Sequence, residues 1–218
     1  MVESQSAILV RGVRTRQGLP VWRIILRRMP LLSFRRLTID PLTVSMAGVK
    51  LGERLLQIGV DDPSLAGQLA AKTGLSGTAA HMVSTDDEAV LVNRGARKAG
   101  VLVEVRVGPI DRLPFDDGAF DLVVIHSMRG QLASATADER DAVLQACCRV
   151  LRPGGRVMTI EAGTRTGLRS VLRPAPAAQA PYDASGGSAA ALRQAGFNAV
   201  RDLGDREGMK FLEGIRTT

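Results

Sequence analysis

From Glu53 onward the chain alternates short apolar runs with longer amphipathic segments. Arg54–Gly59 (RLLQIG) and Thr78–Ser84 (TAAHMVS) have strand length. Val101–Gly108 (VLVEVRVG) alternates as a half-buried strand does, and Phe120–Ser127 (FDLVVIHS) has the continuous apolar centre of a strand covered on both faces. Leu65–Lys72 and Asp86–Ala99 carry helical spacing, with Asp86 and Asp87 at the end where the helix dipole favours acids. Asp138–Leu151 reads as a helix stopped by Pro153-Gly154-Gly155, followed by a fifth strand at Arg156–Glu161. Strands alternating with helices predict a parallel sheet wrapped on both faces.

The tail breaks this rhythm. Ala189–Ala195 reads as a short helix ended by Gly196, and Phe197–Leu203 and Met209–Ile215 as strands joined by about five residues, Gly204 to Gly208. Such a short connection makes a hairpin, so the sheet should close on an antiparallel pair. Gly163–Gly187, rich in Pro, Ala and Gly, has no period and reads as a surface loop or a flap on the substrate side.

Composition changes the picture in two places. No apolar run reaches the roughly 18 residues that span a bilayer, and the polar Val2–Ser6 start does not read as a secretory signal, so a cytoplasmic location is expected. Adjacent Cys147 and Cys148 cannot close an ordinary disulfide loop and read as reduced residues on a buried helix face; two cysteines and two distant histidines do not suggest structural zinc. The net charge of +7 is unevenly held: residues 1–50 carry nine basic residues against Glu3 and Asp40, so the rest of the chain is neutral. The reading is a basic N-terminal extension, 1–50, and an α/β domain, 51–218. Within the extension Trp22, Ile25, Leu26 and Met29 share one helical face, with Arg23, Arg27 and Arg28 largely opposite. A basic amphipathic helix suits an anionic membrane or an acidic partner protein, through residues 10–36, or it packs on the sheet with its arginines reaching to water. With seven aromatic residues in the chain, little is left for base stacking, and no nucleic-acid partner is expected.

Three stretches then resemble the class I S-adenosylmethionine-dependent methyltransferases, above all small-molecule enzymes of the ubiquinone-biosynthesis type. Arg112–Asp121 (RLPFDDGAFD) is similar to the family's entry into strand four. Arg149–Glu161 (RVLRPGGRVMTIE) is similar to its passage into strand five, and Ala195–Arg216 (AGFNAVRDLGDREGMKFLEGIR) to its closing hairpin. The resemblance implies a Rossmann-like, doubly wound, seven-stranded, mostly parallel sheet with a C-terminal antiparallel hairpin, and S-adenosylmethionine as cofactor. Asp121 reads as a structural residue orienting the entry to strand four.

The resemblance also implies where the cofactor would lie: Gln57, Gly59 and Asp61 after strand one, Ser84 and Thr85 after strand two, Pro109 and Ile110 after strand three, and His126 after strand four. Here the chain departs from the pattern. Of three expected glycines only Gly59 is present, Asp61 and Pro63 replacing the others, and Ser84 and Pro109 stand where acids are usual. Pro63 also removes a backbone donor. Weakened cofactor binding is therefore expected. His126, just past strand four, is a candidate general base or a loop histidine bonded to backbone. Glu161, at the tip of strand five, either faces the substrate or caps the strand. His81 reads as a satisfied core or surface histidine, and Tyr182, in the long loop, is open to closing over a substrate, though nothing in the sequence demands it. Two functions stay open: methyl transfer to a small or lipophilic acceptor, or a catalytically inactive scaffold docking to a membrane or partner through the basic arm.

Overall fold

In the computed structural model the described residues are 41–163, 176–206 and 208–217, all within the unit Ile39–Thr218. The predicted arm helix and the proposed contact through residues 10–36 lie outside them.

The elements are α1 (Pro41–Met46), β1 (Arg54–Ile58), α2 (Pro63–Lys72), β2 (Thr78–Val83), α3 (Asp86–Ala99), β3 (Glu104–Val107), β4 (Phe120–Ser127), α4 (Gln131–Ser134), α5 (Ala137–Val150), β5 (Leu151–Ala162), α6 (Gln179–Ala184), α7 (Gly187–Gln194), β6 (Asn198–Arg206) and β7 (Met209–Ile215). They build a seven-stranded sheet in the order β3-β2-β1-β4-β5-β7-β6. β1 to β5 are parallel, and β7 runs antiparallel to both β5 and β6.

The period-two alternation of the strands divides the core between two faces. Leu56, Ile58, Val123, Ile125 and Val157 pack under α5 and α7 residues such as Leu144, Cys147 and Leu192. Leu55, Leu122, Val124, Met158 and Ile160 pack with Leu65 and Leu69 of α2, and with Val44 of α1 and its neighbour Ala47. Each such side chain, buried whole, contributes about 1.5–3 kcal/mol. The antiparallel end, the two faces and the interior Cys147 agree with expectation.

Several boundaries moved. β3 is four residues long, because residues 101–103 make no ladder with β2. Pro63 opens α2 instead of lying in a loop, with Asp62 as N-cap accepting from Ser64 N (2.7 Å) and Leu65 N (3.4 Å); at this first position a missing donor costs nothing. Part of the expected 163–187 loop is helical, as α6, and Gly187 already belongs to α7. β6 extends to Arg206, so two residues instead of five separate it from β7.

The junction of α5 and β5 differs most. α5 ends at Val150 and β5 begins at Leu151, which pairs with Phe120; the next pair is Leu122 with Arg156. Arg152–Gly155 is thus a bulge inside the strand, not a turn before it. Gly154, at φ 74°, donates its N–H to the Arg216 carbonyl (2.7 Å), and Gly155 accepts from Arg216 N (2.8 Å). The Arg216 guanidinium donates to the carbonyls of Cys148, Arg149 and Leu151. Asp121 binds Arg54 and Arg152 across the same edge. Burial alone would raise its carboxyl, but the hydrogen bonds from Arg54 and Arg152 hold it well below the usual carboxylate range, as fits a structural residue.

Candidate functional site

β1 and β4 are neighbours whose following helices leave in opposite directions along the sheet, the switch point at which doubly wound sheets open a crevice. A cavity of about 430 Å³ lies there, at the carboxyl ends of the strands. Ile58 ends β1 and Gly59 follows it into the cavity, Ser84 follows β2, Pro109 and Ile110 follow β3, and Ile125 and His126 lie near the end of β4. Gln131 and Leu132 of α4, with Glu139, Arg140 and Val143 of α5, form the opposite wall. Its volume is that of a small-molecule site. Gly59 is required: at φ 71° it donates to the Met82 carbonyl (2.9 Å), and a Cβ there would come within 3.2 Å of the His126 carbonyl oxygen.

Glu88 supplies a carboxylate at the end of β2. Thr85, the N-cap of α3, accepts from Glu88 N (3.3 Å), while Glu88 Oε2 accepts from Ser84 N (3.0 Å). This exchange holds the half-buried carboxylate at the cavity wall, with Oε1 3.7 Å from Arg129 Nη2. Thr85 therefore acts as a cap and does not line the cavity.

Asp61 turns the other way. Its carboxylate, 6% exposed, accepts from Met128 N, from Arg129 Nε (2.9 Å) and from Gln131 Nε2 (2.8 Å), and Arg129 Nη2 also donates to the Val60 carbonyl (2.8 Å). The residue expected in a cofactor loop is instead a clasp joining the β1–α2 turn to the β4–α4 loop.

Gln57, His81 and His126 form a buried polar row beneath α2. Gln57 Nε2 donates to the Ala66 carbonyl (3.0 Å) and Gln57 Oε1 accepts from His126 Nε2 (2.9 Å). His81 Nε2 donates to the Gly59 carbonyl (2.7 Å), and the two imidazoles stack at 5.9 Å. Burial lowers His126 to about 4, against the opposing pull of Asp61 and Asp62. Burial, then the nearby His126, lowers His81 to about 3. Of the core and surface positions expected for it, His81 takes the core one, but with its Nδ1 unpartnered it is only half satisfied. His126 lies inside β4 and not past it; its Nε2 is committed to Gln57 and its Nδ1 is shut from solvent, so the ring has no route to act as a general base.

Glu161 is at the tip of β5, as its penultimate residue, but it is 1% exposed and does not line the cavity. It accepts from Thr159 Oγ1 (2.7 Å) and Gln179 Nε2 (3.4 Å), and burial raises its carboxyl above the usual range. Tyr182 is equally interior: its hydroxyl shares a hydrogen bond with Ser188 Oγ (2.9 Å) and Arg140 lies 4.7 Å from its ring. The expected residues gathered at the cavity are thus Gly59, Ser84, Pro109, Ile110 and His126. Gln57, Asp61, Thr85 and Glu161 support or lie apart from it. Glu88, Gln131 and Arg140 went unnoticed, though Thr85-x-x-Glu88 is a capping-box pattern that marks the glutamate's place.

Residues 60–159 match the family described as Methyltransferase domain. Over 122 residues the chain is 30% identical to ubiquinone/menaquinone biosynthesis C-methyltransferase UbiE of Idiomarina loihiensis, covering 55% of this chain and 46% of that protein. Over 131 residues it is 34% identical to demethylmenaquinone methyltransferase of Beutenbergia cavernae, covering 60% and 48%. The chain spans about half the length of these curated relatives. Its fold is similar to that of a SAM dependent methyltransferase from Aquifex aeolicus, with a TM-score of 0.65 at 17% identity over 81% of this chain and 88% of the other. It is also similar to the [4+2]-cyclase SpnF, with a TM-score of 0.56 at 19% identity over 81% and 80%, so the fold by itself names no reaction. In its matched domain, these relatives and this strand order, the chain is similar to the class I S-adenosylmethionine-dependent methyltransferases.

Proposed function

We propose that the protein binds S-adenosylmethionine in the cavity at the ends of β1–β4 and methylates a carbon of a small, apolar, quinone-type ring. The observation that carries this reading is the convergence of Gly59, Glu88 and the Pro109–Ile110 pair on one cavity of about 430 Å³. Gly59 leaves the backbone open to close approach. Glu88 offers the ribose hydroxyls a carboxylate where Ser84 alone offers one hydroxyl, and Pro109 with Ile110 gives a flat base an apolar wall. Asp61 and Pro63, expected to obstruct the cofactor, form a clasp and a helix start outside the cavity lining. The relatives named for ubiquinone and menaquinone biosynthesis support the acceptor class.

The bound cofactor supplies an electrophilic methyl group on a sulfonium. The chain's own contribution is positioning and exclusion of water. Leu132 and Val143 oppose Ile125 across the cavity, and Arg140 is pinned by the carbonyls of Leu132 (2.8 Å) and Ala135 (2.9 Å), which fixes the α4–α5 wall.

Calorimetry with S-adenosylmethionine and its demethylated product tests this. Glu88→Gln removes a charge-assisted contact of about 1.5–3 kcal/mol, so both ligands should bind roughly ten- to a hundredfold more weakly. No binding to the unaltered protein at millimolar ligand, or an unchanged Glu88→Gln affinity, refutes the assignment.

A further inference from the structure

The end of the sheet opposite the cavity carries exposed leucines. Leu51, Leu75 and Leu102 are 77%, 108% and 96% exposed, although most of the other leucines among the described residues are buried. Each sits in the loop just before one of three adjacent parallel strands, β1, β2 and β3. The register pairs Arg54 with Thr78 and Ala80 with Glu104, which brings Leu102 to the level of Thr78. Gly52 N donates to the Thr73 carbonyl (2.8 Å), and a Cβ on Gly74 would collide with the Leu51 side chain, so the first two loops touch. With neighbouring strands about 5 Å apart, the three side chains form one row.

Cations border this row. α2 and α3 run back along the sheet, so their last turns, with Lys72, Arg97 and Lys98, lie at the same end, beside Lys50. All four are exposed, and none of their side chains has a carboxylate partner among the described residues. The acids at the entries to β1 and β3 are answered: Glu53 by Arg156 at 2.8 Å and Glu104 by Arg106 at 2.6 Å. The row is therefore an apolar edge inside a field of uncompensated positive charge.

We propose that this edge docks on an anionic phospholipid surface, the leucines entering the head-group layer and the four cations meeting lipid phosphates. Uncompensated like charge disfavours a second copy of the chain here, and three separate projecting loop side chains fit a soft interface better than a pocketed one. Docking this way leaves the cavity mouth, at the other end of the strands, open to water. The inference stands independently of the cofactor assignment.

The test is co-sedimentation of the full chain with vesicles of phosphatidylglycerol or phosphatidylcholine at low and high salt. The unaltered protein should bind the former, in a salt-sensitive way, and not the latter. The triple variant Leu51→Ser, Leu75→Ser, Leu102→Ser should lose at least tenfold in binding with an unchanged melting temperature, because these side chains touch little of the core. A second variant, Lys72→Gln, Arg97→Gln, Lys98→Gln, should lose more than tenfold at low salt, at about fivefold per cation. No binding to phosphatidylglycerol, equal binding to both lipids, or full binding by the leucine variant overturns the proposal; the last would assign binding to another part of the chain. Calorimetry with S-adenosylmethionine on both variants should match the unaltered protein, which separates failure here from failure of the cofactor reading.

Discussion

Replacing Asp61 by glycine would restore a permissive loop residue, and pattern matching alone expects tighter cofactor binding. The structure predicts a loss of stability instead. The Asp61 carboxylate holds three donors, from Met128, Arg129 and Gln131, across the crevice between β1 and β4. The Arg129 partner is 61% exposed, so screening limits that pair to under about 1 kcal/mol. The contacts to Met128 N and Gln131 Nε2 are shielded, and charge-assisted bonds of this kind are worth about 1.5 kcal/mol or more each. Added backbone freedom from glycine costs a further ~0.5–1 kcal/mol. The expected loss is about 3.5–5 kcal/mol, a fall in melting temperature of roughly 7–20 °C for a domain of this size. Asp61→Asn, which keeps acceptor oxygen but not charge, should lose about half as much. Urea and thermal unfolding measure both variants, and calorimetry with S-adenosylmethionine measures the site. A melting temperature within 2 °C of the unaltered protein, or a tenfold gain in affinity for Asp61→Gly, would refute the clasp.

Two further outcomes follow from the interior. His81 and His126 are held neutral in the fold with values of about 3 and 4, below the unfolded 6.5. The unfolded chain takes up their protons first, so stability is full above pH 6.5 and falls as pH drops toward 4, by up to about 1.4 kcal/mol per pH unit per histidine. Glu161, raised by burial, works against this between its unfolded value of 4.5 and its folded one, but as one group against two. Urea midpoints between pH 7.5 and 5 should decline, and a flat profile would mean that the imidazoles are not buried neutral. Gly95→Ala should destabilise by more than 2 kcal/mol, because its Cβ would run into the Pro63 carbonyl oxygen where α2 and α3 cross; thermal unfolding within 1 °C of the unaltered protein would contradict that packing.

What could be read in advance follows the range of the forces involved. β4 and α3 came out to the residue, since an apolar run and helical spacing with Asp86 and Asp87 at the positive end are local signals. Pro153-Gly154-Gly155 misled because what extends β5 back to Leu151 is pairing with Phe120 and the bonds from Arg216, both distant in sequence. Gly59, Ser84, Pro109 and Ile110 were placed at the cofactor site by the resemblance to the methyltransferases, and the structure puts all four at the cavity. The direction of the Asp61 side chain depended on Met128, 67 residues away, and that of His126 on Gln57, 69 residues away. No periodicity carries such contacts. Glu88 was hidden because its carboxylate reaches the site from a helix, one turn past the strand end where an acid was sought.

The bulged junction of α5 and β5 makes that helix a cantilever. With no linker between Val150 and Leu151, and with Arg216 gripping three carbonyls at the root, tilting α5 would drag β5 and the hairpin with it. Glu139, Arg140 and Val143 stand on this beam, so the wall they form is a fixed jaw. Among the described residues, the part of the lining left to give way to a ligand is the one across from it, Pro109–Asp111 after β3, which has no hydrogen bond to α4 or α5.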